Sequence, residues 1–186
     1  MKKTWKYDFD IIKYTKAIEL NHGNFGAYNN RGIAYQKRGN NDLSIRDFSK
    51  AIELNPTFVQ AYINRGNVYQ ETGQYESSIA DLTRAIELQP WNSMAYNNRG
   101  FTYMLMGRYG EAERDIRKAI ELSPNNIYAL NSMAELCAAR QDAIEACRWL
   151  RLAIEKGYNN WSYIRNSETY ANIRNAPCFM KLMLRK

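Results

Sequence analysis

The 186-residue chain is 45% hydrophobic and 13% aromatic, enough apolar surface for a continuous core, which excludes an intrinsically disordered polymer. Its three cysteines, Cys137, Cys147 and Cys178, are odd in number, lack CxxC spacing and have only His22 as a distant nitrogen donor. That excludes a zinc site or a disulfide framework and leaves buried thiols in a reducing, cytoplasmic setting as the expectation. The formal charge of +7 sits at the ends: residues 1–24 hold 5 basic and 3 acidic side chains, residues 161–186 hold 5 and 1, and residues 25–160 are nearly neutral at 16 to 15.

Met1-Lys2-Lys3 is followed by Thr4-Trp5-Lys6-Tyr7-Asp8-Phe9-Asp10, too polar for the apolar core of a secretory leader. No stretch approaches the roughly 18 apolar residues of a membrane span. Residues 7–20 have helical spacing, and their Lys16-Ala17-Ile18-Glu19-Leu20 returns 34 residues later as Lys50-Ala51-Ile52-Glu53-Leu54. In that register residues 1–24 form a half repeat, a second helix without its first-helix partner. Such a helix points to a longer array, a cap on the stack, or pairing with a second molecule.

The 34-residue period then runs without insertion through four segments, 25–58, 59–92, 93–126 and 127–160. Asn55-Pro56, Gln89-Pro90 and Ser123-Pro124 mark it. In register lie Ala27-Tyr28, Ala61-Tyr62, Ala95-Tyr96 and Ala129-Leu130, then Gly32, Gly66, Gly100 and Ala134. Each segment reads as two helices, as in Ala61 to Glu71, a turn at Thr72-Gly73, and Tyr75 to Leu88. Gly39, Gly73 and Gly107 suit the left-handed residue that ends a helix. Gly32, Gly66 and Gly100 fall inside the first helix, at a cost of about 1 kcal/mol each against Ala, which implies close helix–helix approach.

Arg31, Arg65 and Arg99 each precede an acid by sixteen residues, Asp47, Asp81 and Asp115. The fourth segment has Met133 and Trp149 at both places. Arginine and aspartate are gained and lost together, so we expect structural ion pairs between the two helices of a segment.

Beyond Asn160 the period stops, but Trp161, Tyr163, Ile164, Tyr170, Ile173, Phe179, Leu182 and Met183 keep helical spacing, so residues 161–186 read as capping helices. Asn175 is expected to cap the last of them, with Pro177 in its first turn.

Tyr28, Gly32, Tyr35, Phe48, Ala51 and Pro56, with their repeats, resemble the tetratricopeptide-repeat family pattern of aromatic, glycine, tyrosine, aromatic, alanine and proline. The resemblance implies an all-α, right-handed superhelical solenoid of antiparallel helix pairs with a C-terminal capping region, in which first helices line a concave groove. It implies a protein–protein interaction scaffold, with no cofactor, binding an extended or helical segment of a partner protein.

By helical spacing Asn30, Asn64 and Asn98 recur on the groove side, with Ser132 in the fourth segment and Asn29, Asn67, Asn97 and Asn131 nearby. A row of primary amides can pair with the peptide groups of an extended ligand without reading its sequence. The expected groove is polar at Gln36, Lys37, Gln70 and Glu71, then apolar at Met94, Phe101, Met104, Leu105 and Tyr128. The carboxylate-gripping mode of the family needs lysine and arginine on adjacent first helices. Its frames here hold Asn29, Ile33, Asn64, Met94 and Asn98, or Ile63, Asn67, Asn98, Tyr128 and Ser132, so that mode is disfavoured. No nucleophile–base set, metal cluster or phosphate loop can be assembled around one histidine, so no enzymatic activity is expected. Two alternatives accompany the scaffold reading. One is binding of nucleic acid or an anionic surface, a partner the neutral body disfavours, through Lys2, Lys3, Lys6, Arg174, Lys181, Arg185 and Lys186. The other is a homo-oligomer built through the unpaired N-terminal helix.

Overall fold

The structure, a computed structural model, describes residues 4–184. Lys2, Lys3, Arg185 and Lys186 lie outside the described residues, as does the Lys6 side chain. The described residues form helices α1 (Thr4–Leu20), α2 (Phe25–Arg38), α3 (Asn41–Leu54), α4 (Val59–Glu71), α5 (Tyr75–Leu88), α6 (Ser93–Leu105), α7 (Tyr109–Leu122), α8 (Ile127–Ala139), α9 (Ala143–Glu155), α10 (Trp161–Asn166) and α11 (Pro177–Met183). A 3-10 segment, Glu168–Ile173, separates the last two. Among these residues no helix is long and apolar enough to cross a membrane. The chain is all-α and pairs consecutive helices as a solenoid does, within two compact halves divided between Pro90 and Trp91.

Asparagine starts many of these helices. The side chains of Asn24, Asn92, Asn126 and Asn160 accept from backbone N–H groups of the first turns of α2, α6, α8 and α10. First helices end alike. Gly39, Gly73 and Gly107 have positive φ, and the next residue's N–H returns to a carbonyl five residues back: Asn40 to Tyr35 at 2.9 Å, Gln74 to Tyr69 at 2.8 Å, Arg108 to Tyr103 at 2.9 Å. In the fourth repeat Gln141 holds the left-handed place at φ 63°, and Asp142 donates to Cys137 at 2.9 Å. At the last helix the cap is Ala176 rather than Asn175. Pro177 forces the residue before it into extended backbone, ψ 135° at Ala176, so the non-helical cap moves one residue on.

In the N-terminal half α2 pairs with α3 and α4 with α5, and α1 packs on α2. A Cβ on Gly32 would stand 2.7 Å from the Phe48 ring, which explains a glycine inside a helix. Ala51, Ala61, Ala85, Phe48 and Leu82 are wholly buried around such contacts. Arg31 grips Asp47 in two hydrogen bonds of 2.7 and 2.8 Å, and Arg65 grips Asp81 at 2.7 and 2.8 Å. The remaining guanidinium nitrogen reaches the preceding second helix, donating to Thr15 from Arg31 and to Ser49 from Arg65. Tyrosine faces lie against these cations, Tyr28 and Tyr35 on Arg31 and Tyr69 on Arg65.

In the C-terminal half α6 pairs with α7 and α8 with α9, and Arg99 meets Asp115 at 2.6 and 2.9 Å. In the fourth repeat Met133 is buried in a cluster with Met104, Ala112, Ile116 and Leu136, and Trp149 packs against it. The 3-10 segment packs on α8 and α11 on α9, closing a core of Leu130, Leu150, Ile164, Tyr170, Ile173 and Phe179.

A disulfide joins Cys147 on α9 to Cys178 on α11. This corrects the reading of these two residues as buried free thiols. Docking the cap on α9 brings together residues 31 positions apart that share no recognisable spacing. The cytoplasmic expectation loses the argument it rested on, because such bonds persist in oxidising compartments. Cys137 remains free, its thiol pushed up to about 11 by burial, and is therefore a poor nucleophile.

Candidate functional site

The first-helix face of the N-terminal half is polar. Asn30 on α2 is exposed, while Asn29 beside it is buried. Asn29 donates to Asn30 at 3.3 Å and accepts from Asn64 of α4 at 2.9 Å. Asn64 in turn accepts from Gln60 at 2.9 Å. Much of the donor and acceptor capacity of this row is therefore spent within the row, stiffening α2 against α4. One turn further on, the Gln36 amide donates to Glu71 at 2.9 Å, and Lys37 is exposed. Asn67 is half-buried on α4.

The corresponding face of the C-terminal half differs in kind. Met94, Leu105 and Tyr128 are 52%, 40% and 65% exposed. Phe101 is half-buried, resting on the cluster of Met104, Ile116, Met133 and Leu136. Asn98 is half-buried and accepts from Asn97 at 3.4 Å.

Two residues expected on this surface belong to the interior. Met104 is 5% exposed because side chains of α7 and α8 enclose it, where Gln36 and Gln70 in the same register stay partly open. Asn131 is 4% exposed, as its register is buried in every repeat, at Asn29, Ile63 and Asn97 alike. Its amide donates to Glu135 Oε2 at 2.8 Å, and its carbonyl accepts from the Tyr170 hydroxyl at 2.9 Å.

Glu135 itself escaped the sequence reading. It is 1% exposed, and its Oε1 accepts from the Tyr163 hydroxyl at 2.5 Å and from Thr169 at 2.6 Å. Burial pushes its carboxyl up to about 7, against the pull of the Thr169 and Tyr163 hydroxyls. A signal existed. An acid is the one charged residue of α8, in the register of Ile33, Asn67 and Phe101, and hydroxyl residues recur in the tail.

Family models described as tetratricopeptide repeat match residues 26–58, 59–92 and 93–126, and a further one residues 127–151. No curated protein matches in sequence. Among solved structures, MamA is similar with 25% identity and a TM-score of 0.69, over 84% of this chain and 95% of that one. The first TPR of Spaghetti (RPAP3), bound to the HSP90 peptide SRMEEVD, shares 25% identity with a TM-score of 0.60 over 62% of this chain and 92% of its own. YrrB, described as a TPR protein with an unusual peptide-binding site, shares the fold at 22% identity and a TM-score of 0.64, over 92% and 89%. With the helix pairs, the capped turns and the packed glycine register in place, the chain belongs to the tetratricopeptide-repeat family.

Proposed function

We propose that this chain is a protein-interaction scaffold whose first-helix faces hold an extended or helical segment of a partner protein. The amide-bearing face around Asn30 contacts polar backbone, and the face of Met94, Phe101, Leu105 and Tyr128 anchors apolar side chains. One observation carries the reading. Met94, Leu105 and Tyr128 stand in the open at positions where the N-terminal repeats have Gly26 and Gln60, or Lys37 and Glu71. The Tyr128 ring meets the Tyr158 ring edge-on at 6.2 Å, but the repeat itself does not need apolar residues at these positions, and exposed apolar residues on one face of this kind make a docking surface.

The family and the peptide-bound RPAP3 repeat support binding of a protein segment. The missing lysine and arginine of the carboxylate-gripping frames argue for a different mode. The test is affinity capture of the partner followed by titration calorimetry with Met94→Ser/Tyr128→Ser, a surface pair that should leave the helical circular dichroism unchanged. Affinity is expected to fall at least tenfold, and to change little between low and high salt. Undiminished affinity rejects the apolar anchor, and steep salt dependence turns the reading toward anion binding. The SRMEEVD peptide is expected not to bind.

A second reading has one observation behind it. Phe9 and Ile12 on α1 are 67% and 68% exposed, at positions held in later repeats by Leu43 and Arg46, or Glu111 and Arg114. Self-association through α1 would cover them. A mass by light scattering that stays monomeric at all concentrations excludes it.

A further inference from the structure

The register that faces outward in three repeats is closed in the fourth. Asn30 is exposed and Asn64 and Asn98 are partly so, yet Ser132 in their place is 4% exposed. Ile33, Asn67 and Phe101 are partly exposed, yet Glu135 is 1% exposed. The chain's own tail does the covering: Tyr163, Thr169 and Tyr170 place three hydroxyls on Glu135 and Asn131, as an incoming peptide's side chains would.

We infer that the first-helix face of the fourth repeat is a peptide site occupied in cis by the segment Trp161–Ile173, a strap held shut through Glu135. The inference rests on reading first-helix faces as peptide sites. A partner segment able to compete at this face carries tyrosine and threonine hydroxyls, because the face offers a carboxyl and an amide as its acceptors.

The geometry tethers the strap at both ends. Upstream it leaves α9 through Gly157, at φ 106°, and downstream the Cys147–Cys178 bond holds α11 to the same helix. Opening therefore bares the α8 face without releasing the tail. The strap's own Ile164, Tyr170 and Ile173 are almost fully buried and oppose that opening.

The weak point is the carboxyl. The titratable groups facing the cluster are the phenols of Tyr163 on α10, Tyr170 on the 3-10 segment and Tyr158 before α10, with the Cys137 thiol of α8 near Tyr170. None of these brings a positive charge, so ionised Glu135 is stabilised only by hydrogen bonds. In the open strap Glu135 meets water and returns to its ordinary range near 4.5, against about 7 when closed. The closed form binds the proton more tightly. Closure is therefore strongest below pH 4.5, weakens as pH rises, and has lost its proton-linked part above about pH 7. Between pH 5 and 8 the closed-to-open ratio should fall ~70-fold.

Hydrogen–deuterium exchange of residues 160–174, corrected for intrinsic rates, reads this opening in the native protein. A fluorescein-labelled peptide with the sequence of residues 160–174 probes the bared face in trans. Opening is expected to rise steeply from pH 5 to 8 and the trans peptide to bind detectably only at the upper end. Glu135→Gln should flatten the pH dependence, and Tyr163→Phe with Thr169→Val should raise opening and peptide binding together at pH 8. Exchange that ignores pH in the native protein overturns the Glu135 latch. Opening without peptide binding overturns the cis-ligand assignment. If both strap results hold while Met94→Ser/Tyr128→Ser leaves partner affinity intact, the apolar anchor fails and the strap stands.

Discussion

In the N-terminal half, Arg31 and Arg65 tie first helix to second through bidentate aspartates, under tyrosine faces, and leave the first-helix face open. In the C-terminal half the third repeat keeps this device with Arg99 and Asp115, but the fourth replaces it with buried Met133 and half-buried Trp149. There α8 is buried from Ala129 through Leu136, and its polar contacts go to the cap through Asn131 and Glu135. An internal repeat is stabilised by neighbours on both sides and can spare a face. A terminal repeat lacks one neighbour, so the chain must cover its exposed core, and the cover takes over the face as well.

Breaking the C-terminal closure should have the largest effect. Cys147→Ser with Cys178→Ser removes a cross-link across 31 positions, and the chain-entropy estimate for a loop of that length is roughly 3–4 kcal/mol. Urea unfolding should show a loss of that order. Native-state exchange should place the loss in α9, α11 and the strap and leave α2 to α5 as protected as before. Equal loss in both halves would show that they unfold as one cooperative body.

The ion-pair contrast comes next. Asp81→Ala leaves the largely buried Arg65 guanidinium without its carboxylate and should cost about 2–3 kcal/mol by denaturant titration, discounted from the fully buried case because Arg65 is partly exposed. Arg65→Met with Asp81→Trp copies the fourth repeat and should recover at least half of that loss. No recovery would mean that the apolar solution depends on the Met104 and Leu136 surroundings of α8.

The smallest effect concerns the turns. Gln141 holds at φ 63° the left-handed place that Gly39, Gly73 and Gly107 fill elsewhere. Gln141→Gly should stabilise the C-terminal half by about 1 kcal/mol, and Gly73→Ala should destabilise the N-terminal half by a similar amount. A shift in midpoint temperature of opposite sign in the two variants checks both.

Much of this molecule was legible in one dimension, because each repeat states its own rules several times over. The turn glycines announced the αL ends of first helices. The joint loss of arginine and aspartate at Met133 and Trp149 announced the ion pairs, and Gly32 announced the close approach to Phe48. These are local or fixed-offset interactions, and a period of 34 residues repeats the offset along with the residues. Residues that occur once had no such support. Helical spacing puts Met104 on the surface, because spacing fixes the direction of a side chain but not what lies over it, whereas Asn131 belongs to a register buried in every repeat at Asn29, Ile63 and Asn97. Glu135, the Cys147–Cys178 bond and the closed face of α8 were decided by where a non-repeating tail docks, 28 to 39 positions from the residues it meets. Spacing carries the periodic part of the fold, and burial, which sets the state of Glu135 and closes the fourth face, comes only from the packing of distant segments.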